Sequence, residues 1–580
     1  MPIETELKLR FLIPEDTAKL PAHPLLANAG PGTREQLTAT YYDTPARELL
    51  RSGIALRVRR ENGRLLQTVK TANTSLGGLH QRQEWEQEVQ EEDVLKNGPV
   101  LDRLPKVLRK TLGKEKSNKR LSKHIAPCFT TDFKRTQWIL PLGILPLGSR
   151  TTDTPPGTRQ RSADSSQDDH GPNVRRAVPA HEKHADAGHA GEGYVEVCLD
   201  EGEIRNGKRT VALHEVELEL KGGDNPAPLY EMALQLQQTL PLVVENASKA
   251  QRGYELDDEP GRHGSNAFPA PKPQKARAIT LDPKMSAEMA FVHIMNNCYA
   301  GIQANEAAVL LGADPEGVHR MRVGLRRMRA CLALFKPLIQ DDDSRELSAE
   351  LRWIAGILGH ARDWDVFAET LDGIAARITV CTQEAATRDS SVLESLRTET
   401  GGRRERYYRE LREALGSVRY SRLLLGLGAW LNGRGWRARL DPDARRALAR
   451  PAIRFSTKAL EKQYKRVAKS GESLLRLSPA ECHQVRIESK KLAYGVHFFR
   501  SLYSDKALVG AYVKSLSRLR DKLGVLNDAA MARALQDEAE LSGDDPARCF
   551  LQGWYAAEMV DGLHGADKAW EGFLRQRCFW

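Results

Sequence analysis

Charged and apolar residues alternate in the first ten positions of the chain. One phase of this alternation is charged and holds Glu4, Glu6, Lys8 and Arg10. The other phase holds the apolar residues Ile3, Leu7 and Leu9. Because successive side chains of a strand point to opposite faces, a period of two predicts a β-strand with one charged and one apolar face. Taken alone, this segment fits a solvated amphipathic strand as well as it fits the wall of a functional site.

The same period of two recurs through the N-terminal half. The charged positions that follow it are Arg57, Arg59, Lys70, Arg82, Glu84, Glu86, Arg135, Glu196, Asp200, Glu215, Glu217 and Glu219. An Asn62-Gly63 pair between two of these runs predicts a tight hairpin turn. A single charged strand indicates a surface, but several strands with one charged and one apolar face predict the inward wall of a barrel or tunnel.

The charged positions fall into a cationic and an acidic set. The cationic set consists of Lys8, Arg57, Arg59, Lys70, Arg82 and Arg135, and arginine forks match phosphate oxygens. The acidic set consists of Glu4, Glu6, Asp200, Glu215, Glu217 and Glu219. Clustered carboxylates need cations between them, and a purely oxygen ligand set favours Mg²⁺ or Mn²⁺ over zinc. Metal between carboxylates and phosphate is the usual arrangement for phosphoryl transfer.

Residues 1–256 resemble the CYTH superfamily, the triphosphate tunnel metalloenzymes. The motifs that carry the resemblance occur in order: Glu4-x-Glu6-x-Lys8, Tyr41-Tyr42-Asp43-Thr44, Leu56-Arg57-Val58-Arg59, the run ending in Lys70, Arg82-x-Glu84-x-Glu86, the run 131–135, Asp200-x-Gly202, the run 215–219 and Ser248-Lys249-Ala250-x-Arg252-Gly253-Tyr254. The resemblance implies an eight-stranded antiparallel β tunnel that hydrolyses a linear triphosphate.

The resemblance also implies roles for individual residues. The expected metal ligands are Glu4, Glu6, Glu217 and Glu219, together with Asp200 and Glu215. The expected triphosphate-binding residues are Lys8, Arg57, Arg59, Lys70, Arg82, Arg135 and Lys249, and the expected catalytic residues are Lys8, Glu6, Glu217 and Arg135. The attacking water is activated either by metal and acidic side chains or by a lysine, and the sequence leaves both routes open.

Two polar segments divide the chain. Residues 141–192 are rich in Pro, Gly, Ser, Thr, Asp and His, which predicts a disordered hairpin insertion. The irregular spacing of His181, His184 and His189 favours a solvated loop over a metal site. Residues 257–278 are proline-rich and aperiodic, which predicts a linker between domains at 1–256 and 279–580.

The second half shows helical periodicity and an internal repeat. His319-x-x-Arg322-Val323-x-x-Arg326 in the first copy corresponds to His483-x-x-Arg486-Ile487-x-x-Lys490 in the second. Spacing of three and four residues places each set of basic side chains on one helix face. A duplicated helical unit predicts a pseudo-twofold bundle, and the two basic faces together predict an anion site. The alternative is an ordinary solvated basic face with structural histidines.

Residues 280–575 resemble the CHAD domain, a duplicated helical bundle. The resemblance implies binding of inorganic polyphosphate along a basic groove, by His319, Arg322, Arg326, Arg327, Arg329, His483, Arg486, Lys490 and Lys491. The chain departs from the family pattern at Ala493, where an arginine is common. The overall fold expected is therefore α+β, with an N-terminal tunnel and an all-α C-terminal domain.

Composition agrees with anionic partners. The formal net charge is +10, and aromatic residues are only 6% of the chain, which disfavours base-stacking nucleic-acid surfaces. The eight cysteines show no CxxC or zinc spacing, so a reducing cytoplasm is expected. The N-terminus lacks a secretory apolar segment, and the longest apolar run, residues 423–431, is too short to span a membrane.

These observations predict a cytoplasmic, Mg²⁺- or Mn²⁺-dependent inorganic triphosphatase. It would hydrolyse tripolyphosphate to diphosphate and phosphate and bind polyphosphate through its C-terminal domain. A second hypothesis is a non-catalytic polyphosphate-binding protein associated with polyphosphate granules. A third hypothesis is an adenylyl cyclase on the same tunnel fold, although the sequence offers no identifiable purine pocket.

Overall fold

The computed structural model describes residues 3–71, 74–92, 94, 98–99, 124–142, 193–256, 271–381, 386–472, 474–538 and 546–580. The predicted insertion at 141–192 lies outside the described residues except for its first two positions. Of the predicted linker, only residues 271–278 are described, and they form neither helix nor strand.

The N-terminal region is built from antiparallel strands. These are β1 (Ile3–Phe11), β2 (Thr33–Asp43), β3 (Ile54–Glu61), β4 (Arg64–Thr71), β5 (Thr74–Leu76), β6 (Leu79–Val89), β7 (Ala126–Pro141), β8 (Tyr194–Asn206), β9 (Arg209–Lys221) and β10 (Leu242–Val244). Eight strands run in the order β1-β9-β8-β7-β2-β3-β4-β6, and pairing of β6 with β1 closes the barrel. The short strand β5 pairs with β6, and the short strand β10 pairs with β1. The predicted eight-stranded tunnel is confirmed.

The register of β1 and β9 explains the alternation. Lys8 lies opposite Glu217, and Leu7 lies opposite Leu218. The charged phase therefore faces the barrel interior, while the fully buried leucines pack outside in a core completed by a helix, residues 227–236. The predicted hairpin turn is also present: Asn62 and Gly63 both have positive φ, as a two-residue turn with the twist of the flanking strands requires.

In the described part of the barrel region, three short α-helices pack around the strands: α1 (Glu48–Arg51), α2 (Ala227–Leu236) and α3 (Lys249–Glu255). Asp43 is fully buried, and its carboxylate accepts the amide N–H groups of Leu49 and Leu50 at the start of α1. The same carboxylate accepts the Tyr254 hydroxyl at 3.1 Å, which ties α3 to the barrel. A Cβ at Gly253 would lie 2.2 Å from the Phe129 ring, so only glycine allows this approach.

The C-terminal region is helical. Its α-helices are α4 (Ala287–Gln303), α5 (Glu306–Leu311), α6 (Glu316–Ile339), α7 (Asp342–Cys381), α8 (Ala386–Leu415), α9 (Val418–Gly433), α10 (Pro442–Ala449), α11 (Ala452–Ser470), α12 (Pro479–Phe499), α13 (Lys506–Glu538) and α14 (Pro546–Arg575). Ser286, Ser417 and Ser478 cap α4, α9 and α12 by accepting a backbone N–H, which fixes where these helices begin.

The predicted repeat corresponds to two helix pairs. Helices α6 and α7 contact each other, as do α12 and α13, and α6 also packs against α12. The two histidine- and arginine-bearing helices are therefore neighbours, which is the condition for their basic faces to form one surface. No helix among the described residues combines the length and apolar character needed to cross a membrane.

The two regions share a hydrophobic core. The predicted apolar run forms α9, which packs on α2 and β10. Leu425 and Ala429 of α9 belong to the same buried cluster as Tyr230 and Leu242 of the barrel region. Gly428 permits this contact, because a Cβ there would lie 2.2 Å from the Tyr230 ring.

Candidate functional site

The barrel encloses a cavity of about 1560 Å³. Its charged lining includes most of the residues that the sequence assigned to the site: Glu4, Glu6, Lys8, Arg57, Arg59, Lys70, Arg82, Arg135, Glu217, Glu219 and Lys249. The alternation along the strands thus places acidic and basic side chains around one interior space.

The two acids of β1 are held by cations from neighbouring strands. Glu4 accepts from Lys70 at 2.8 Å and from Arg82 Nε at 2.7 Å. Glu6 contacts Arg82 and lies 3.3 Å from Lys8. Burial alone would raise the pKa of Glu4, but Lys70 and Arg82 lower it far below its usual range. Arg82, predicted to bind phosphate, lines the cavity and donates to both carboxylates.

A second acidic cluster surrounds Lys249 at the start of α3. The Lys249 ammonium lies 2.8 Å from Asp200 and 2.8 Å from Glu217, and it also contacts Glu215. Arg135 forms a bidentate pair with Asp200 and reaches Glu217 at 2.5 Å. Asp200 and Glu215, predicted as metal ligands, are buried and outside the cavity lining; both contact Lys249, and Asp200 also pairs with Arg135.

The chemistry of this cluster fits a hard divalent cation. Oxygen atoms of Asp200, Glu215 and Glu217 all lie within 4.8 Å of one another, and all three residues are buried. The donors are carboxylate oxygens alone, the set that Mg²⁺ and Mn²⁺ accept. Lys249 already supplies positive charge to the cluster, so a metal there would share the carboxylates with an ammonium group.

Glu217 is the centre of this charge network. It accepts from Lys8, Lys249 and Arg135. Burial alone would raise the pKa of Glu217, but the three cations, Lys249 foremost, hold it well below its usual range. Glu217 is therefore ionised at any physiological pH.

Arg57 and Arg59 lie on the β3 wall, where Arg59 forms an ion pair with Glu61 and lies 3.7 Å from Glu86. The Nε atoms of both are buried without a hydrogen-bond partner among the described residues. Burial, and then the neighbouring Arg57, lower the pKa of Arg59. Tyr41, to which the sequence gave no role, lines the cavity and hydrogen-bonds Arg57. These guanidinium groups present donors that an anion in the cavity would satisfy.

Glu219 occupies a separate part of the cavity wall. It accepts from Lys221 at 2.6 Å, and Glu196, which lies opposite it on β8, lies 3.8 Å from the same ammonium. Burial raises the pKa of Glu219 to about 7, despite the bond from Lys221. Glu196 was not among the expected site residues, although its place in the charged alternation of the sequence could have indicated it.

The helical region contains a second cavity of about 1000 Å³. Predicted residues from α6 and α12 line it together: His319, Arg322, Arg326, Arg329, His483, Arg486, Lys490 and Lys491. The sequence missed the further cations Lys336, Arg345, Arg352 and Arg362. Three of them lie on α7, which is outside the two aligned histidine–arginine motifs.

Positive charge dominates this second cavity. Arg326 forms no hydrogen bond or salt bridge with any residue that the structure describes, and Arg322 has Asp363 at 3.5 Å. Burial and Arg326 lower the pKa of Arg322 to about 10. Burial likewise lowers the pKa of His319, with Arg362, Arg320 and Arg326 acting in the same direction. Such an arrangement favours binding of an anion.

Two positions singled out in the sequence, Arg327 and Ala493, do not line the second cavity. Arg327 does not line the cavity; its guanidinium donates to Asn297 of α4 at 3.3 Å. Ala493, the departure from the family pattern, is a core residue with 4% exposure.

Comparisons with known proteins agree with both regions. A CYTH domain family model matches residues 2–149, and a CHAD domain family model matches residues 293–537. A curated relative, the inorganic triphosphatase of Haemophilus influenzae, is 26% identical over 217 residues. That match spans 37% of this chain and 45% of the relative, which is less than half the relative's length.

The chain is also similar to solved structures. The CHAD domain from the plant Ricinus communis is 29% identical, with a TM-score of 0.44 over 53% of this chain and 98% of that one. A putative adenylyl cyclase from Hippeastrum, described as having a dominant triphosphatase activity, is 16% identical, with a TM-score of 0.27 over 43% and 95%. By its family matches, the chain contains a CYTH domain followed by a CHAD domain.

Proposed function

We propose that the chain is a metal-dependent inorganic triphosphatase that hydrolyses tripolyphosphate to diphosphate and phosphate. The observation that carries the proposal is the division of the tunnel wall. Carboxylates meet cations around Glu217, while Arg57 and Arg59 on β3 each keep a buried Nε donor that has no hydrogen-bond partner among the described residues. A site that combines carboxylate oxygens with such free guanidinium donors suits a metal-bound polyphosphate better than either ligand alone.

Glu4, Glu6, Glu217 and Glu219, with Asp200 and Glu215, are the residues that would hold the metal. When bound, Mg²⁺ or Mn²⁺ supplies charge neutralisation at phosphate oxygens. The cations Lys8, Arg57, Arg59, Lys70, Arg135 and Lys249 bind and orient the substrate. Hydrolysis breaks the terminal phosphoanhydride bond, adds water to phosphorus and releases diphosphate.

The protonation of the lysines bears on which group activates the water. Burial opposes the charge on Lys8, but Glu217 and Glu6 raise its pKa. Burial likewise opposes the charge on Lys249, but Asp200 and Glu215 raise its pKa well above the usual value. Both lysines therefore remain ammonium groups at neutral pH, which favours activation by metal and acidic side chains over a lysine base.

The test is Glu217→Gln, which preserves volume but removes the charge shared by three cations. Phosphate release from tripolyphosphate with Mg²⁺ or Mn²⁺ is expected to fall by about three orders of magnitude. Glu203→Gln is the matched control, because Glu203 lies on neighbouring β8 outside the cavity lining and pairs with Arg205. Absence of metal-dependent turnover in the unaltered chain would contradict the enzyme proposal. Cyclic AMP formed from ATP would instead support the adenylyl cyclase hypothesis.

We also propose that the helical cavity binds inorganic polyphosphate. Basic residues from α6, α7 and α12 converge there, and Arg326 forms no hydrogen bond or salt bridge with any described residue. A linear polyanion would relieve the mutual repulsion of these groups. If turnover is absent but polyphosphate binds, the non-catalytic hypothesis of a polyphosphate-binding, granule-associated protein is favoured. Localisation in the cytoplasm is part of the proposal.

A further inference from the structure

A polar junction between the two domains lies next to the tunnel. Gln303, the last residue of α4, contacts the Asn246 side-chain oxygen through its amide nitrogen. The Gln303 oxygen accepts the Gly77 N–H at 2.8 Å. Asn246 Oδ1 also accepts from Ser75 and from the Gly78 N–H, each at 3.1 Å. One glutamine of the helical domain therefore joins the β5–β6 turn to the segment that leads into α3.

The β5–β6 turn is shaped to receive the helical domain. Gly77 and Gly78 both have positive φ. A Cβ at Gly77 would lie 1.9 Å from the Tyr299 hydroxyl of α4, so the close approach of α4 requires glycine. That hydroxyl in turn donates to the Leu424 carbonyl at 2.8 Å, which fixes α4 against α9.

Both segments held by Gln303 lead directly to the ammonium groups that contact Glu217. Asn246 lines the tunnel three residues before Lys249, and Ser248 between them caps α3. On the other side, the Gly78 carbonyl accepts the Lys8 N–H at 2.9 Å, and the Lys8 carbonyl accepts the Glu245 N–H at 2.9 Å. The backbone of Lys8 is thus fixed between the turn and the α3 segment.

We propose that Gln303 is a positioning residue for Lys8 and Lys249, so that the helical domain helps to build the tunnel site. Gln303 does not line the tunnel and acts through the Gly77–Gly78 turn and Asn246. The inference rests on the proposed function where it concerns turnover, and on geometry alone where it concerns the order of α3. A cation displaced by even 1 Å loses much of its effect on a charged reaction centre.

The test uses Gln303→Met in the whole chain, since methionine keeps the side-chain length but removes both hydrogen-bonding groups. Arg422→Met is the matched control. Arg422 also makes an interdomain hydrogen bond, to the Gln237 carbonyl at 3.1 Å, but on the α2 side, away from the tunnel lining. Asn246→Ala removes the other partner of the junction and is a second variant should Gln303→Met fail to fold.

Hydrogen exchange of residues 245–256 is expected to become about tenfold faster in Gln303→Met than in Arg422→Met, at matched thermal unfolding midpoints. Turnover of saturating tripolyphosphate is expected to fall about fivefold or more in Gln303→Met, with a smaller change in KM, because Arg57 and Arg59 on β3 are untouched. Equal exchange in both variants overturns the proposal, as does equal turnover. If the unaltered chain shows no turnover, the proposed function fails, and the exchange experiment still decides whether Gln303 orders α3.

Discussion

The two cavities of this chain differ in their balance of acidic and basic side chains. In the tunnel, every acidic side chain of β1 and β9 that lines the cavity contacts a cation: Glu4 contacts Lys70, and Glu217 contacts Lys8. In the helical cavity, cations from three helices face one another, and the carboxylate of Asp363 is 3.5 Å from Arg322. One site is nearly neutralised by its own residues, whereas the other holds excess positive charge.

This difference indicates two kinds of ligand. A balanced network can take a metal ion and an anion together, because each new charge meets an opposite charge already in place. An unbalanced basic site favours an anionic ligand, which neutralises its excess positive charge. The same phosphate chemistry would therefore be bound with a cation in the tunnel and directly by protein groups in the helical cavity.

The largest expected effect is on stability, when one cation is removed from each site in turn. Lys249→Met leaves Asp200, Glu215 and Glu217 short of a buried counter-ion, and we expect it to lower the free energy of unfolding by about 3–5 kcal/mol without divalent metal. Arg326→Met relieves repulsion, so the expected change lies between none and about 1 kcal/mol of added stability. Urea unfolding of both variants in the presence of chelator measures the two changes in the free energy of unfolding. Equal destabilisation would contradict the proposed difference in charge balance between the two cavities.

The second prediction concerns affinity in the helical cavity. Neutralising Arg322, Arg326 and Arg486 together to Gln is expected to weaken polyphosphate binding about 100-fold or more, because charge-assisted phosphate contacts are lost. Arg326→Gln and Arg327→Gln are the matched single-charge pair on α6, since Arg327 contacts Asn297 outside the cavity. Fluorescence anisotropy with labelled polyphosphate measures all three variants, and equal losses in the two single variants would show that bulk charge alone governs binding.

The smallest expected effect depends on pH. The pKa of His319 is lowered by burial and by Arg362, Arg320 and Arg326, so the free site holds a neutral imidazole at neutral pH. A bound polyanion raises that pKa, so binding takes up a proton and affinity increases as the pH falls. We expect polyphosphate affinity to rise about three- to tenfold from pH 8 to pH 5.5, and His319→Gln to reduce the increase. An increase unchanged in His319→Gln would remove His319 from the site.

The sequence predicted the parts of the tunnel that depend on local pattern. Alternation in β1 and β9 was enough to place Glu4, Glu6, Lys8 and Glu217 on the interior face. It was not enough to show that Asp200 and Glu215 pair with Lys249, because that contact depends on where α3 packs against the barrel. Helix placement follows from buried contacts such as Asp43 with Tyr254, which leave no periodic trace in the sequence.

The helical cavity shows a similar division. The repeat predicted that His319 and His483 share one site, since matched helices in a duplicated unit become neighbours. Arg345, Arg352 and Arg362 were missed because their contribution depends on how α7 crosses α6. The Gln303–Asn246 contact was also beyond prediction, because two uncharged amides far apart in the chain carry no charge or periodicity signal.

The most direct test of the two-site account measures tripolyphosphate turnover and polyphosphate binding on one preparation of the chain. Both are measured first with Mg²⁺ or Mn²⁺ and then with excess chelator. The account predicts that chelation abolishes phosphate release from tripolyphosphate but leaves the polyphosphate affinity of the helical cavity essentially unchanged. Turnover that persists without metal, or polyphosphate binding that is lost with it, would contradict the account.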